Sequence, residues 1–115
     1  MKRGIFFTNL TKKRLKTADF LSVYKKIMPH WELSVVLASP AFMRKLNKKY
    51  RKKDKIANVL SFKLGSKTGE IFLNSGEKNL LYLFTHACLH LLGFGHKTDK
   101  EAEKMERKEN KILLK

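Results

Sequence analysis

At 115 residues, 43% of them hydrophobic, the chain has room for one core and too little for two. A net charge of +16 points to a polyanionic partner, with RNA or DNA ahead of a membrane surface because no amphipathic anchor helix is evident. The single cysteine excludes an internal disulfide, no run is long enough to span a bilayer, and the apolar run Gly4-Ile5-Phe6-Phe7 is too short for a signal peptide. These features predict one domain over residues 1–115, cytoplasmic and not membrane-bound.

Gly4–Leu10 predicts a strand from its aromatic and β-branched residues. Thr17–Met28 carries Phe20, Leu21, Val23, Tyr24 and Ile27 at helical spacing, with Thr17 as N-cap. His30, between Pro29 and Trp31, has no motif around it and is expected in a turn or on the surface. Trp31–Ala38 predicts a second strand, and Ser39-Pro40 then offers an N-cap followed by proline at the first helical position. The helix behind it should run to about Tyr50 and bury Phe42, Leu46 and Tyr50. Its other faces begin the densest basic cluster: Arg44, Lys45, Lys48, Lys49, Arg51, Lys52, Lys53 and Lys55. Residues 1–58 hold 16 Lys and Arg against three acids, whereas residues 59–115 hold 10 against seven. The excess is therefore local, as expected of an RNA-binding surface.

Asn58–Lys63 and Glu70–Asn74 predict two further strands, linked through Gly65 and Gly69 by a hairpin or a longer turn. Leu80–Leu92 is apolar on nearly every side, which predicts a buried helix. A last helix should start at the capping box Thr98-Asp99-Lys100-Glu101 and run past Met105 to Ile112-Leu113-Leu114, with its charges exposed. The order β-α-β-α-β-β-α-α implies an α+β fold: one mixed four-stranded sheet with about four helices packed on it.

The chemistry is concentrated in the helix over Leu80–Leu92 and the turn behind it. His86 and His90 are four apart and share a helix face, and Gly93 and Gly95 allow the chain to turn back and bring up His96. Three imidazoles without a fourth protein ligand are the donor set of a catalytic zinc site. Read instead as core histidines, the first two would each cost about 1–3 kcal/mol if buried without partners. Cys88 points about 160–200° away from both on the helix, so it is expected in the core rather than on the metal.

The segment His86-Ala87-Cys88-Leu89-His90-Leu91-Leu92-Gly93-Phe94-Gly95-His96, followed by Glu101, Glu103 and Met105, resembles the YbeY family of bacterial endoribonucleases. That family's signature is His-Gly-x-Leu-His-Leu-x-Gly-Tyr-Asp-His. Upstream, Leu46-Asn47-Lys48-Lys49-Tyr50-Arg51, Asn58-Val59-Leu60-Ser61-Phe62 and Gly69-Glu70-Ile71 are similar to three more of its motifs, in the same order, so that residues 46–106 are covered. Ala87, Gly95, Ala57-Asn58, Lys63 and Glu70 depart from the family pattern.

The resemblance implies a cytoplasmic, metal-dependent endoribonuclease acting in ribosomal RNA maturation, with RNA and the ribosome as partners and a monomeric state. One divalent ion, expected to be zinc, would be held by His86, His90 and His96. It would lower the pKa of a water towards about 7, giving hydroxide as nucleophile or as base on a ribose 2′-hydroxyl. Arg51 would stabilise charge on the phosphoryl oxygens, and is otherwise one more cation in a basic loop. Ser61 would line the cleft, and is otherwise a strand serine. Two other classes stand beside this one. A metallopeptidase would carry glutamate after the first histidine, where this chain has Ala87. A non-catalytic ribosome- or RNA-binding protein with a vestigial metal site would keep the basic surface alone.

Overall fold

The computed structural model describes residues 4–94 and 99–113. Its elements are β1 (Ile5–Asn9), α1 (Ala18–Ile27), β2 (Glu32–Ala38), α2 (Pro40–Arg51), β3 (Val59–Gly65), β4 (Thr68–Asn74), α3 (Leu80–Leu91) and α4 (Asp99–Leu113). This is the expected order, α+β with four helices on a mixed four-stranded sheet. The strands lie in the order β1-β2-β4-β3, with β1, β2 and β4 parallel and β3 antiparallel at one edge.

Strand alternation assigns the two faces of the sheet. Leu33, Val35 and Leu37 of β2, with Ile71 and Leu73 of β4, point into the larger core. There they meet Phe20, Val23 and Tyr24 of α1 and Phe84, Cys88, Leu89 and Leu91 of α3. Full burial of each such aliphatic side chain contributes about 1.5–3 kcal/mol. The opposite face holds a smaller cluster, Ala38, Met43 and Leu60, where α2 covers β3 and β4.

The β3–β4 connection is the shorter of the two alternatives. Gly65 pairs with Thr68, leaving only Ser66 and Lys67 in the turn. Gly69 is not a loop residue but a buried position of β4, paired with Leu33. A Cβ there would stand 2.8 Å from Leu91 Cδ1, so the missing side chain is what lets the end of α3 settle onto β4. Ser39 caps α2 as expected, accepting from the Phe42 amide at 3.2 Å. Thr17 occupies the N-cap of α1 but its side chain accepts no capping bond, because its backbone is itself helical (φ −92°, ψ −12°).

The buried face of α2 differs from the expected one. Met43 and Asn47 are buried, while Phe42 and Tyr50 are exposed and Leu46 is half-buried. The helix is rotated by about one position, and Phe42, Leu46 and Tyr50 instead flank the outer sheet face. There the Tyr50 and Phe62 rings meet edge to face at 5.4 Å. Helix α4 is not exposed all round either: Met105, Glu109 and Ile112 are buried.

Candidate metal and RNA-cleft site

Helix α3 presents Phe84, Ala87, Cys88 and Leu91 to the core, and its opposite stripe is Tyr82, Leu83, His86 and His90. The two histidines are therefore half-buried in the wall of a cleft, not enclosed in the core as an all-round apolar helix implied. Cys88 is fully buried as expected, and burial pushes its thiol well above the usual range. His30 is exposed in a turn.

The Nε2 atoms of His86 and His90 lie 3.1 Å apart. Two neutral imidazole nitrogens this close need either one shared proton or one shared cation between them. Nitrogens bound tetrahedrally at about 2.0–2.1 Å to one zinc stand about 3.3 Å apart, so the pair has the spacing of two ligands of one ion. The other nitrogen of His86, Nδ1, is 2.7 Å from Glu109 Oε2, and the Glu109 side chain is only 4% exposed. A carboxylate there accepts a hydrogen bond from Nδ1–H, which holds the proton on Nδ1 and leaves the Nε2 lone pair facing the cleft, the usual support of a metal-binding histidine. The donor set and its support thus fit a divalent ion. His96 lies outside the described residues, as do Gly95 and the Thr98 of the expected capping box.

Sequence reasoning missed Glu109. Its neighbours Glu106, Arg107 and Lys108 read as an exposed charged helix, and the only available signal was its place on the helical stripe of Met105 and Ile112.

Arg51, Val59, Ser61, His86, Ala87 and His90 line one cavity of about 310 Å³. Two routes bring Arg51 and Ser61 to the histidines. Ser61 alternates with Leu60 and Phe62 on β3 and so projects to the α3 side. Arg51 ends α2, where Lys52 adopts a left-handed conformation (φ 59°) and turns the chain away. A second space of about 360 Å³ adjoins His86 and is lined by Asn47, Arg51, Lys53, Lys55, Ile56 and Tyr82 among others.

Two asparagines fix the loop that supplies this second wall. Asn47 Nδ2 donates to the Lys55 carbonyl at 2.9 Å, and Asn74 Nδ2 donates to the Ala57 carbonyl at 3.3 Å. The Asn74 amide also donates to the Asn58 carbonyl at 3.0 Å. The polar residue of the Leu46-Asn47 motif therefore acts on backbone, holding the basic loop beside the histidines.

The eight expected RNA-binding cations are all exposed, but they do not form one surface. Arg51, Lys53 and Lys55 face the cleft. Arg44 is held by Asp54 at 2.8 Å, and that hydrogen bond and charge lower the Asp54 carboxyl. Lys48 adds to the same field. Lys45 and Lys49 lie on the flank of Leu46 and Tyr50, with Lys49 Nζ 5.2 Å from the Tyr50 ring centre. Lys52 caps the helix between the two groups.

Fold and cleft together define an α+β protein whose cationic cleft is built around a histidine pair on its most buried helix. The model of the family described as Endoribonuclease YbeY matches residues 5–74 and 66–115. The chain is 39% identical to the endoribonuclease YbeY of Neorickettsia sennetsu, over 73% of this chain and 72% of the relative. It is 31% identical to that of Bartonella henselae, over 93% of this chain and 80% of the relative. The chain belongs to the YbeY endoribonuclease family. Its fold is similar to the solution structure of TM1509 from Thermotoga maritima, with a TM-score of 0.61, 23% identity, and coverage of 96% of this chain and 90% of that one.

Proposed function

We propose that this protein is a metal-dependent endoribonuclease that cuts single-stranded RNA and acts in ribosomal RNA maturation in the cytoplasm. The observation that carries this reading is the meeting of the His86–His90 pair with Arg51 and Ser61 in one cleft, flanked by Lys53 and Lys55. The family relatives, named as endoribonucleases, support the substrate class. Among the described residues no helix is long and apolar enough to cross a membrane.

In this reading His86 and His90, with His96, hold one divalent ion, zinc by its preference for imidazole donors. When bound, the ion supplies Lewis acidity and a water acidified towards neutrality. The chain's own residues do the rest. Glu109 keeps the proton of His86 on Nδ1, so that Nε2 presents its lone pair to the ion. Lys53 and Lys55 draw the phosphate backbone in, and Arg51 offers paired N–H donors to the phosphoryl oxygens as their charge builds. Ser61 donates or accepts one hydrogen bond at the cleft wall.

The test is cleavage of a single-stranded RNA by purified protein with zinc, with chelator, and by His90→Ala. Cleavage lost in the last two, with RNA binding retained, is the expected result. Cleavage that survives both would overturn the metal mechanism.

A further inference from the structure

The space beside His86 has a feature that neither metal binding nor phosphate attraction uses. Two of its lining side chains are large, apolar and open to water: Tyr82 is 43% exposed and Ile56 is 52% exposed. Tyr82 is the third residue of α3 and lies on the cleft-facing stripe with His86, whereas Phe84, Thr85, Ala87, Cys88 and Leu89 are buried. Its ring leans on that of His86, with centroids 6.1 Å apart and planes 29° from parallel. The aromatic surface is thus braced from behind by a site histidine and stands beside Arg51, Lys53 and Lys55. The lining of this space includes no acid among the described residues, while Glu109 and Glu106 stand near Tyr82, whose hydroxyl pKa is raised by burial and then by their two charges.

An exposed aromatic face next to a row of cations is the combination that holds an unpaired nucleotide. The cations take the phosphates, and the ring takes the flat face of the base without regard to its identity. A duplex cannot use such a platform, because its bases are already stacked on one another. A polyanion without rings gains nothing from the tyrosine.

We propose that Tyr82 is the stacking platform for a nucleobase flanking the cleavage position, with Lys53 and Lys55 holding the phosphates beside it. The inference rests on the RNA reading above and adds to it how a single strand is told from a duplex.

The experiment measures affinity for a fluorescein-labelled polyuridine of about ten nucleotides, a length within the site size of a single-strand groove, and for a duplex RNA of equal length. It compares wild type, Tyr82→Ala, Tyr82→Leu and Tyr82→Trp. Loss of one base stack should weaken single-strand binding by roughly tenfold in both Tyr82→Ala and Tyr82→Leu. Duplex binding, which uses no stack, should stay within about twofold. Leucine still covers His86, so a merely structural tyrosine would be rescued by it, and zinc content measured on the same samples should not change. Tyr82→Trp should keep its affinity, and its added indole should be quenched as RNA binds, whereas Trp31, buried in the core, should not respond. Wild-type affinity in Tyr82→Leu, or an unquenched indole at saturating RNA, overturns the platform while leaving the RNA reading intact. No binding of either RNA by the wild type overturns both.

Discussion

At the scale of single residues, the informative group is Glu109. A buried carboxylate in a chain of net charge +16 has many cations it could pair with, yet it is committed to one imidazole nitrogen. Glu109→Gln preserves the shape and an acceptor oxygen but removes the charge that favours a proton on Nδ1. We expect zinc affinity to fall by about 10–100-fold, read by competition with a chromophoric chelator. The unfolding midpoint of the metal-free protein should change little by comparison. Unchanged affinity would reduce Glu109 to a helix-packing residue. The ligand set itself is tested by elemental analysis after zinc loading. One ion per chain is expected in the wild type and none in a variant with alanine at positions 86, 90 and 96, and an ion retained there would place the site elsewhere.

At the scale of elements, α2 and the loop behind it divide their cations between two sides, and that division predicts a difference. Lys53→Glu with Lys55→Glu should flatten the salt dependence of single-strand binding by about 0.7 in log–log slope for each phosphate no longer neutralised. Lys45→Glu with Lys49→Glu removes the same charge from the Tyr50 flank and should leave that slope nearly unchanged. Equal effects from the two pairs would mean that RNA follows the whole helix and not the cleft. The packing of α3 makes a second claim. Gly69→Val puts branched carbons where Leu91 now lies 2.8 Å from an ideal Cβ, and overpacking of this kind costs about 1–3 kcal/mol. Thermal unfolding should show it as a lowered midpoint, together with weaker zinc binding because Leu91 adjoins His90.

Much of this is legible in the chain, and the reasons differ by element. Strands and helices with strong periodicity, such as Glu32–Ala38 and Pro40–Arg51, declare themselves through alternation and the Ser39-Pro40 start. The histidine pair is local, fixed by a spacing of four on one helix. The buried face of α2 is not legible, because Phe42, Leu46 and Tyr50 form as regular a row as Met43 and Asn47. Only the position of β3 and β4 decides which row is covered. Gly69 looks like a turn residue because the strand that claims it is paired from far upstream, at Leu33. Glu109 is hidden for a related reason: its partner lies 23 residues away on a different helix, and nothing in its own neighbourhood marks it as buried.

At the scale of the whole molecule, the chain's single thiol turns its stability into a readable clock. Cys88 is fully buried in the helix that carries both His86 and His90, and on the far side from them. A disulfide reagent can reach it only when α3 leaves the sheet, so modification rate reports the equilibrium population of that open form when reclosing is the faster step. An ion held by the folded protein alone must suppress such openings by mass action. Zinc at about a hundred times its dissociation constant should slow labelling by about a hundredfold, equivalent to about 2.7 kcal/mol. The same zinc should leave labelling of His86→Ala or His90→Ala almost unchanged, and equal slowing there would show that the ion protects the fold from some other place. The core cysteine, inert to chemistry in the native state, thereby becomes a reporter of occupancy at a site it never touches.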